Sequence, residues 1–318
     1  MSPPTFDLVR VPPGSLVMRD ARTGTSRDVV LLSFEIGGTA VTSGSADGPG
    51  NGPGAPGTPM HPVTWFQAVT WCNQASQQSG LRPAYVVAGR DVTWDVSADG
   101  YRLPTEAEWE WACRAGSTGP TYGALTAIAW TAADGVDRPQ PVAQKSANAY
   151  GLFDTLGNVW EWCWDYADPA RYGEYRVLRG GGWADEAWSC RASVRRGSAP
   201  DAVLEDVGFR VARGAVGESG AHEAQGWSAE ADRRRAAITG PLPVGWTPLG
   251  RVRDPGTARP GRSDPSPGDR FRLRSLRGSI GPWDPWTRPL PPCRRLGARP
   301  SSTSSTSRVR SHRTPSTA

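Results

Sequence analysis

Long periodic stretches are nearly absent from this chain, and tryptophan stands in their place. Of its 318 residues 15 are Trp, and all but Trp227, Trp246, Trp283 and Trp286 lie before Gly214. Each indole offers large, rigid apolar area and one N–H that needs an acceptor when buried. Two stretches carry helical spacing. Trp65, Ala68, Val69 and Cys72 fall at i, i+3, i+4 and i+7, and that pattern stops near Gly80. Pro104 precedes Thr105-Glu106-Ala107-Glu108, a capping box in which the threonine hydroxyl and the Glu108 carboxylate each take an orphan backbone amide, and Trp109, Ala112 and Cys113 continue it to Ala115-Gly116. Phe6 to Val11 alternates and ends at Pro12-Pro13-Gly14, the mark of a short strand and turn, and Val29 to Ile36 predicts a second strand. The Gly/Pro run across 43–60 has neither period and is expected to be a surface loop. Beyond Gly116, Gly, Asn, Trp and short apolar runs predict long loops pinned by indoles.

Composition changes abruptly after Arg213. The last 105 residues hold 14 Pro, 13 Gly and 18 Arg against 8 acidic residues, which leaves 18 basic and 23 acidic residues for 1–213. The overall charge of +5 therefore averages two unlike parts and gives no ground for nucleic-acid or anionic-membrane binding by the folded one. The expected organisation is one domain over 1–213 and a low-complexity Arg/Pro/Ser-rich tail over 214–318 that does not fold. No run approaches the roughly 18 apolar residues of a membrane span, and the start MSPPTFDLVRVPPGS lacks the charged and apolar regions of a secretory signal, so a cytoplasmic location is expected. The five cysteines (Cys72, Cys113, Cys163, Cys190 and Cys293) form no CxxC pair; free thiols are expected.

Four blocks identify the chain by resemblance: YRLPTEAEWEWACR (101–114), NAYGLFDTLGNVWEWCWDY (148–166), RVLRGGGW (176–183) and VGFRVAR (207–213). With FEIGGTAVT (34–42) and PVTWFQAVTWCN (62–73), they closely resemble the formylglycine-generating enzymes, or sulfatase-modifying factors. The resemblance spans most of 5–213 and none of the tail. It implies an irregular α+β fold related to C-type lectins, poor in regular secondary structure. It also implies an O2-dependent oxidation of a sulfatase cysteine to formylglycine at a copper(I) ion held by two cysteines, five residues apart, after a GGS tripeptide. Carried onto GGGWADEAWSC, the second of these is Cys190 and the first is Asp185. A carboxylate is a hard donor and does not replace a thiolate on soft copper(I). Gly182 stands for the serine of GGS, Ser189 for a tyrosine and Asp206 for an asparagine, while Trp160 keeps a tryptophan of the family's active site. The resemblance further implies a calcium ion on Asp154, Leu156, Gly157, Val159 and Glu161, an oxygen set of the kind calcium requires. A second calcium site is broken by Ile128 beside Trp130.

The framework is thus kept and the copper pair halved, which predicts a domain binding a peptide, a protein substrate or a small ligand, with copper not expected. The alternatives are a formylglycine-generating oxidase and a divergent oxidoreductase on the same cleft, for which Cys190, Trp160 and Asp185 would be the reacting set. Packing roles stand beside these. Cys72, Cys113, Cys163 and Cys190 suit a core. Arg179, Arg196 and Arg210 suit loop ties, and Asp154 and Glu161 can serve a turn without metal.

Overall fold

The computed structural model describes residues 7–20, 24–44 and 57–237. The chain opens with strands β1 (Leu8–Val11), β2 (Gly14–Asp20), β3 (Thr25–Leu31) and β4 (Phe34–Gly37), followed by helix α1 (Trp65–Gln78). Strands β5 (Tyr85–Ala88), β6 (Asp91–Trp94) and β7 (Tyr101–Arg102) lead to α2 (Glu106–Arg114) and the single turn α3 (Leu125–Ile128). After a long loop come β8 (Trp160–Tyr166), α4 (Pro169–Tyr172), β9 (Arg176–Arg179), β10 (Arg195–Ser198), β11 (Val207–Phe209) and β12 (Ala212–Arg213). The described part closes with β13 (Glu223–Ala224), β14 (Trp227–Ser228) and α5 (Ala229–Ala236). One four-stranded sheet runs β1-β4-β12-β7 and another β10-β9-β8-β11. In the second, β11 is parallel to β8, pairing Gly208 with Glu161, and β9 is antiparallel to β8, pairing Arg179 with Glu161. The arrangement is α+β with many loops. None of its described helices is long and apolar enough to cross a membrane.

Helix α2 begins where its capping box predicts, and α1, expected from its apolar spacing, is capped in the same way. The Thr64 hydroxyl accepts from Gln67 N at 3.1 Å while Gln67 Oε1 accepts from Thr64 N at 2.8 Å, and Thr105 and Glu108 do the same for α2. Glu108 does more than cap. Fully buried, it takes two bonds from the Arg102 guanidinium at 2.6 and 2.7 Å. Indoles join the loops as the sequence suggests: the ring of Trp164 lies within 5.6 Å of Trp65, Tyr85, Trp94 and Trp227.

Two expectations are corrected. Val29 to Ile36 is not one strand, because Leu32 N donates to Gln225 Oε1 at 2.8 Å and Ser33 Oγ donates to Val11 O at 2.9 Å, taking the chain off the ladder between β3 and β4. Nor does folding stop at Arg213. Val216, Ala224, Trp227 and Ala229 belong to the main core, and Gln225, in the left-handed region at φ 50°, reaches Leu32 O at 3.1 Å and Glu108 at 3.0 Å. These apolar residues alternate with the polar groups that anchor them, a local pattern hidden by the composition of the whole tail. The expectation for 238–318 lies outside the described residues, as does the middle of the 43–60 loop, whose base is closed by Ser43 N to Thr58 O at 2.9 Å and Met60 N to Val41 O at 2.7 Å.

Candidate functional site

The turn before β8 is the first wall of the site. Gly157 has φ 74°, and a Cβ there would stand 2.3 Å from the Trp130 carbonyl oxygen, so only glycine fits. Asn158, also at positive φ, stitches three loops: its backbone N donates to Trp130 O at 2.9 Å, its carbonyl accepts from Trp183 N at 2.8 Å, and its side chain pairs both ways with the Gln140 backbone.

The second wall is the glycine run after β9. Gly180 and Gly181 have φ 101° and 83°, and the chain turns back through a bond from Asp185 N to Gly182 O. Asp185 Oδ2 then accepts from Gly182 N at 2.8 Å and from Trp160 Nε1 at 2.7 Å. A Cβ on Gly182 would meet the Asp206 Cβ at 3.2 Å, Asp185 Oδ2 at 3.3 Å and Trp160 Cδ1 at 3.3 Å, while one on Gly181 would meet Cys190 Sγ at 2.6 Å. Adjacent glycines thus bring Trp160, Asp185, Asp206 and Cys190 together. Arg196 adds a cation, 3.6 Å from Asp206 Oδ2 and 5.7 Å over the Trp160 ring. Burial holds the Asp206 carboxyl above its usual range against the pull of Arg196. The Cys190 thiol is pushed up to about 12 by burial first and by the Asp185 charge second. It is therefore a thiol at neutral pH and a poor nucleophile. Between Asp185 and Cys190 along the chain, the indole of Trp188 is 66% exposed, and its carbonyl accepts from Arg191 at 2.7 Å.

The donor set here does not fit copper(I). One side offers a single thiol and the other a hard carboxylate already holding two hydrogen bonds. Of the expected calcium shell, the two side-chain donors Asp154 and Glu161 are both buried. Glu161, fully buried, gives its oxygens to Arg210 at 2.9 and 3.0 Å and to Trp109 Nε1 at 2.7 Å, so a guanidinium already balances it. Asp154 Oδ2 accepts from Ala143 N at 2.7 Å and Oδ1 is buried without a partner, while burial raises its pKa. Leu156, Gly157 and Val159 are buried in the turn between them. Among the described residues, no three His, Cys, Asp or Glu side chains are grouped to hold a metal ion.

Arg179 and Arg210 are loop ties. Arg179 reaches Glu110 and the carbonyls of Ala192 and Val194, and Arg210 joins Glu161 to the carbonyls of Gly37 and Phe153. The four described cysteines are free and buried. Trp183 and Trp188 carry no signal in the sequence beyond their position inside the GGGWADEAWSC block.

An α+β domain in which a Gly-Asn turn and a triple-glycine loop close on one buried tryptophan is a formylglycine-generating-enzyme-like domain. The chain belongs to the sulfatase-modifying factor family: the model of the "Sulfatase-modifying factor enzyme 1-like domain" matches residues 2–215. It is 30% identical over 232 residues to the chaperone protein LppX of Paenibacillus barcinonensis, a match covering 59% of this chain and 83% of that protein. It is 35% identical over 184 residues to the inactive C-alpha-formylglycine-generating enzyme 2 of Mus musculus, covering 49% of this chain and 59% of the mouse protein. Over 171 residues it is 35% identical to the formylglycine-generating enzyme of Streptomyces coelicolor, covering 43% of this chain and 54% of that enzyme. Among solved structures, Treponema denticola variable protein 1 matches with TM-score 0.59 and 28% identity, over 65% of this chain and 95% of that one. PvdO from Pseudomonas aeruginosa matches with TM-score 0.54 and 25% identity, over 67% and 99%.

Proposed function

We propose that the cleft around Trp160 binds a peptide or small ligand and carries out no copper-dependent oxidation. The observation that carries this reading is the placement of Asp185. Its carboxylate takes the indole N–H of Trp160 and the amide of Gly182, so the position of a metal ligand is spent on fixing the walls of the cleft. Cys190, left alone, packs against Gly181 as a small buried side chain. What remains for a ligand is the exposed indole of Trp188 and the partly exposed Asp206–Arg196 pair over the buried Trp160 ring, a mixture of aromatic surface and oriented charge that suits peptide recognition. The mouse relative, named as inactive, agrees with this reading; the Streptomyces enzyme favours the alternative of a working oxidase.

One assay separates them. Full-length protein loaded with copper(I) under reducing conditions is incubated with a sulfatase-type peptide containing CxPxR, and the peptide is weighed by mass spectrometry. The proposal expects no aldehyde above a metal-free control. Copper-dependent conversion of the cysteine would replace it with the oxidase.

A further inference from the structure

A cavity of about 240 Å3 lies between the β2–β3 hairpin, α2 and the segment from β14 to α5, and none of the residues of the Trp160 cleft lines it. Its walls are charged, and the charges are nearly all matched. Arg195 forks onto Glu106 with two bonds of 2.7 Å, Arg179 meets Glu110, and Arg235 meets Asp232, which also accepts from Trp227 Nε1 at 2.9 Å. Arg27, at the hairpin, donates to Gly226 O at 2.6 Å.

One carboxyl of the lining has no cation. Asp165 is 4% exposed, and its Oδ2 accepts the backbone N–H of Glu106 at 2.7 Å. Among the described residues no Arg, Lys or His forms an ion pair with it. A buried carboxylate without a counter-charge is costly, and the remedy is protonation or a cation that comes to it. Met18 and Trp227 add apolar surface to the wall, and apolar surface lining the same cavity as a carboxylate suits an organic cation. Glu106, Glu110 and Asp232 are held by guanidinium groups and Asp20 lies 4.0 Å from Arg195, while Arg19 and Arg27 stand exposed on the hairpin, so Asp165 is the carboxylate left for a bound cation. A divalent metal would find one free carboxylate only.

We propose that this cavity is a second ligand site, binding a small primary ammonium compound with a short apolar stem, its charge on Asp165 and its stem against Met18 and Trp227. The ammonium supplies the donors and the charge that Asp165 lacks, and the ligand's other end lies toward the hairpin. Protonation competes with it. Asp165 is pushed up to about 6 by burial, then by Glu106, with Asp232 adding to the push and Arg27 opposing it; Glu110, Arg179, Arg195, Arg235 and Asp20 complete the charged surroundings. Below that pH the carboxyl is neutral and the ammonium loses its partner.

The test uses full-length protein and n-butylammonium chloride, read by tryptophan fluorescence and thermal shift at pH 7.5, with sodium chloride at equal ionic strength and 1-butanol as controls. The expected result is a saturable response to the ammonium alone, weakened at least tenfold at pH 5. Asp165→Asn keeps an acceptor for Glu106 N and removes the charge; circular dichroism checks its fold, and its affinity is expected to fall at least tenfold. Ala231→Phe, which fills the cavity from α5, is expected to abolish the response independently of Asp165. No saturable response in the wild type, or an undiminished one in both variants, overturns the proposal.

Discussion

At the residue scale, two carboxylates decide what the domain can do, Asp185 half-buried and Glu161 fully buried. Asp185 is tied to Trp160 and Gly182, and Glu161 to Arg210 and Trp109. The Glu161–Arg210 pair is removed from water on both sides. Removing one partner leaves the other charge buried and unpaired, which costs about 3–5 kcal/mol. Glu161→Gln is therefore expected to lower the urea-unfolding free energy by about 3–5 kcal/mol, equally in EDTA and in millimolar calcium. A melting temperature of the wild type that falls in EDTA would show instead that Glu161 holds calcium. The sequence places Glu161 correctly beside Asp154 along the chain. It does not reveal that Arg210, 49 positions away, occupies the carboxylate, because pairing across β8 and β11 is a tertiary event.

At the element scale, the informative piece is the segment from β13 to α5. Trp227 packs on Trp94 and Trp164 with centroids 5.3 and 5.6 Å away, and Gln225 bridges Leu32 and Glu108. Truncation after Arg213 is expected to lower the melting temperature sharply or abolish soluble expression. Trp227→Ala is the milder form, with an expected loss of about 3–5 kcal/mol in urea denaturation. A truncated domain that melts like the full chain would mean that this segment adds nothing to the core. Helix α1 was legible from its apolar spacing and α2 from its capping box and spacing, since those signals are local. The β13–α5 segment was not, because an Arg-rich, Gly-rich tail average conceals a few apolar residues with specific partners. The split between β3 and β4 has the same origin: Leu32 belongs to an apolar run, but its amide answers to a glutamine far along the chain.

At the scale of the whole molecule, the family framework was readable because its blocks are built from glycines, indoles and arginines with geometric duties. Gly157 must lack a side chain, Trp160 must find an acceptor, and Arg179 and Arg210 must tie loops that have no ladder of their own. The chemistry of the site was readable only as a departure, Asp185 for a thiolate, and the structure gives that departure a positive role. The cavity lined by Asp165 was invisible in sequence, since its walls come from six separated stretches.

The most direct test of the central claim is a copper(I) titration against a competing chelator under anaerobic, reducing conditions, on the full chain and on Asp185→Cys. The wild type is expected to take up no stoichiometric copper(I), and the variant, with a second thiol beside Cys190, to gain one equivalent. Tight one-to-one binding by the wild type would contradict the account, because it would mean that Asp185 and a buried thiol suffice as a copper site.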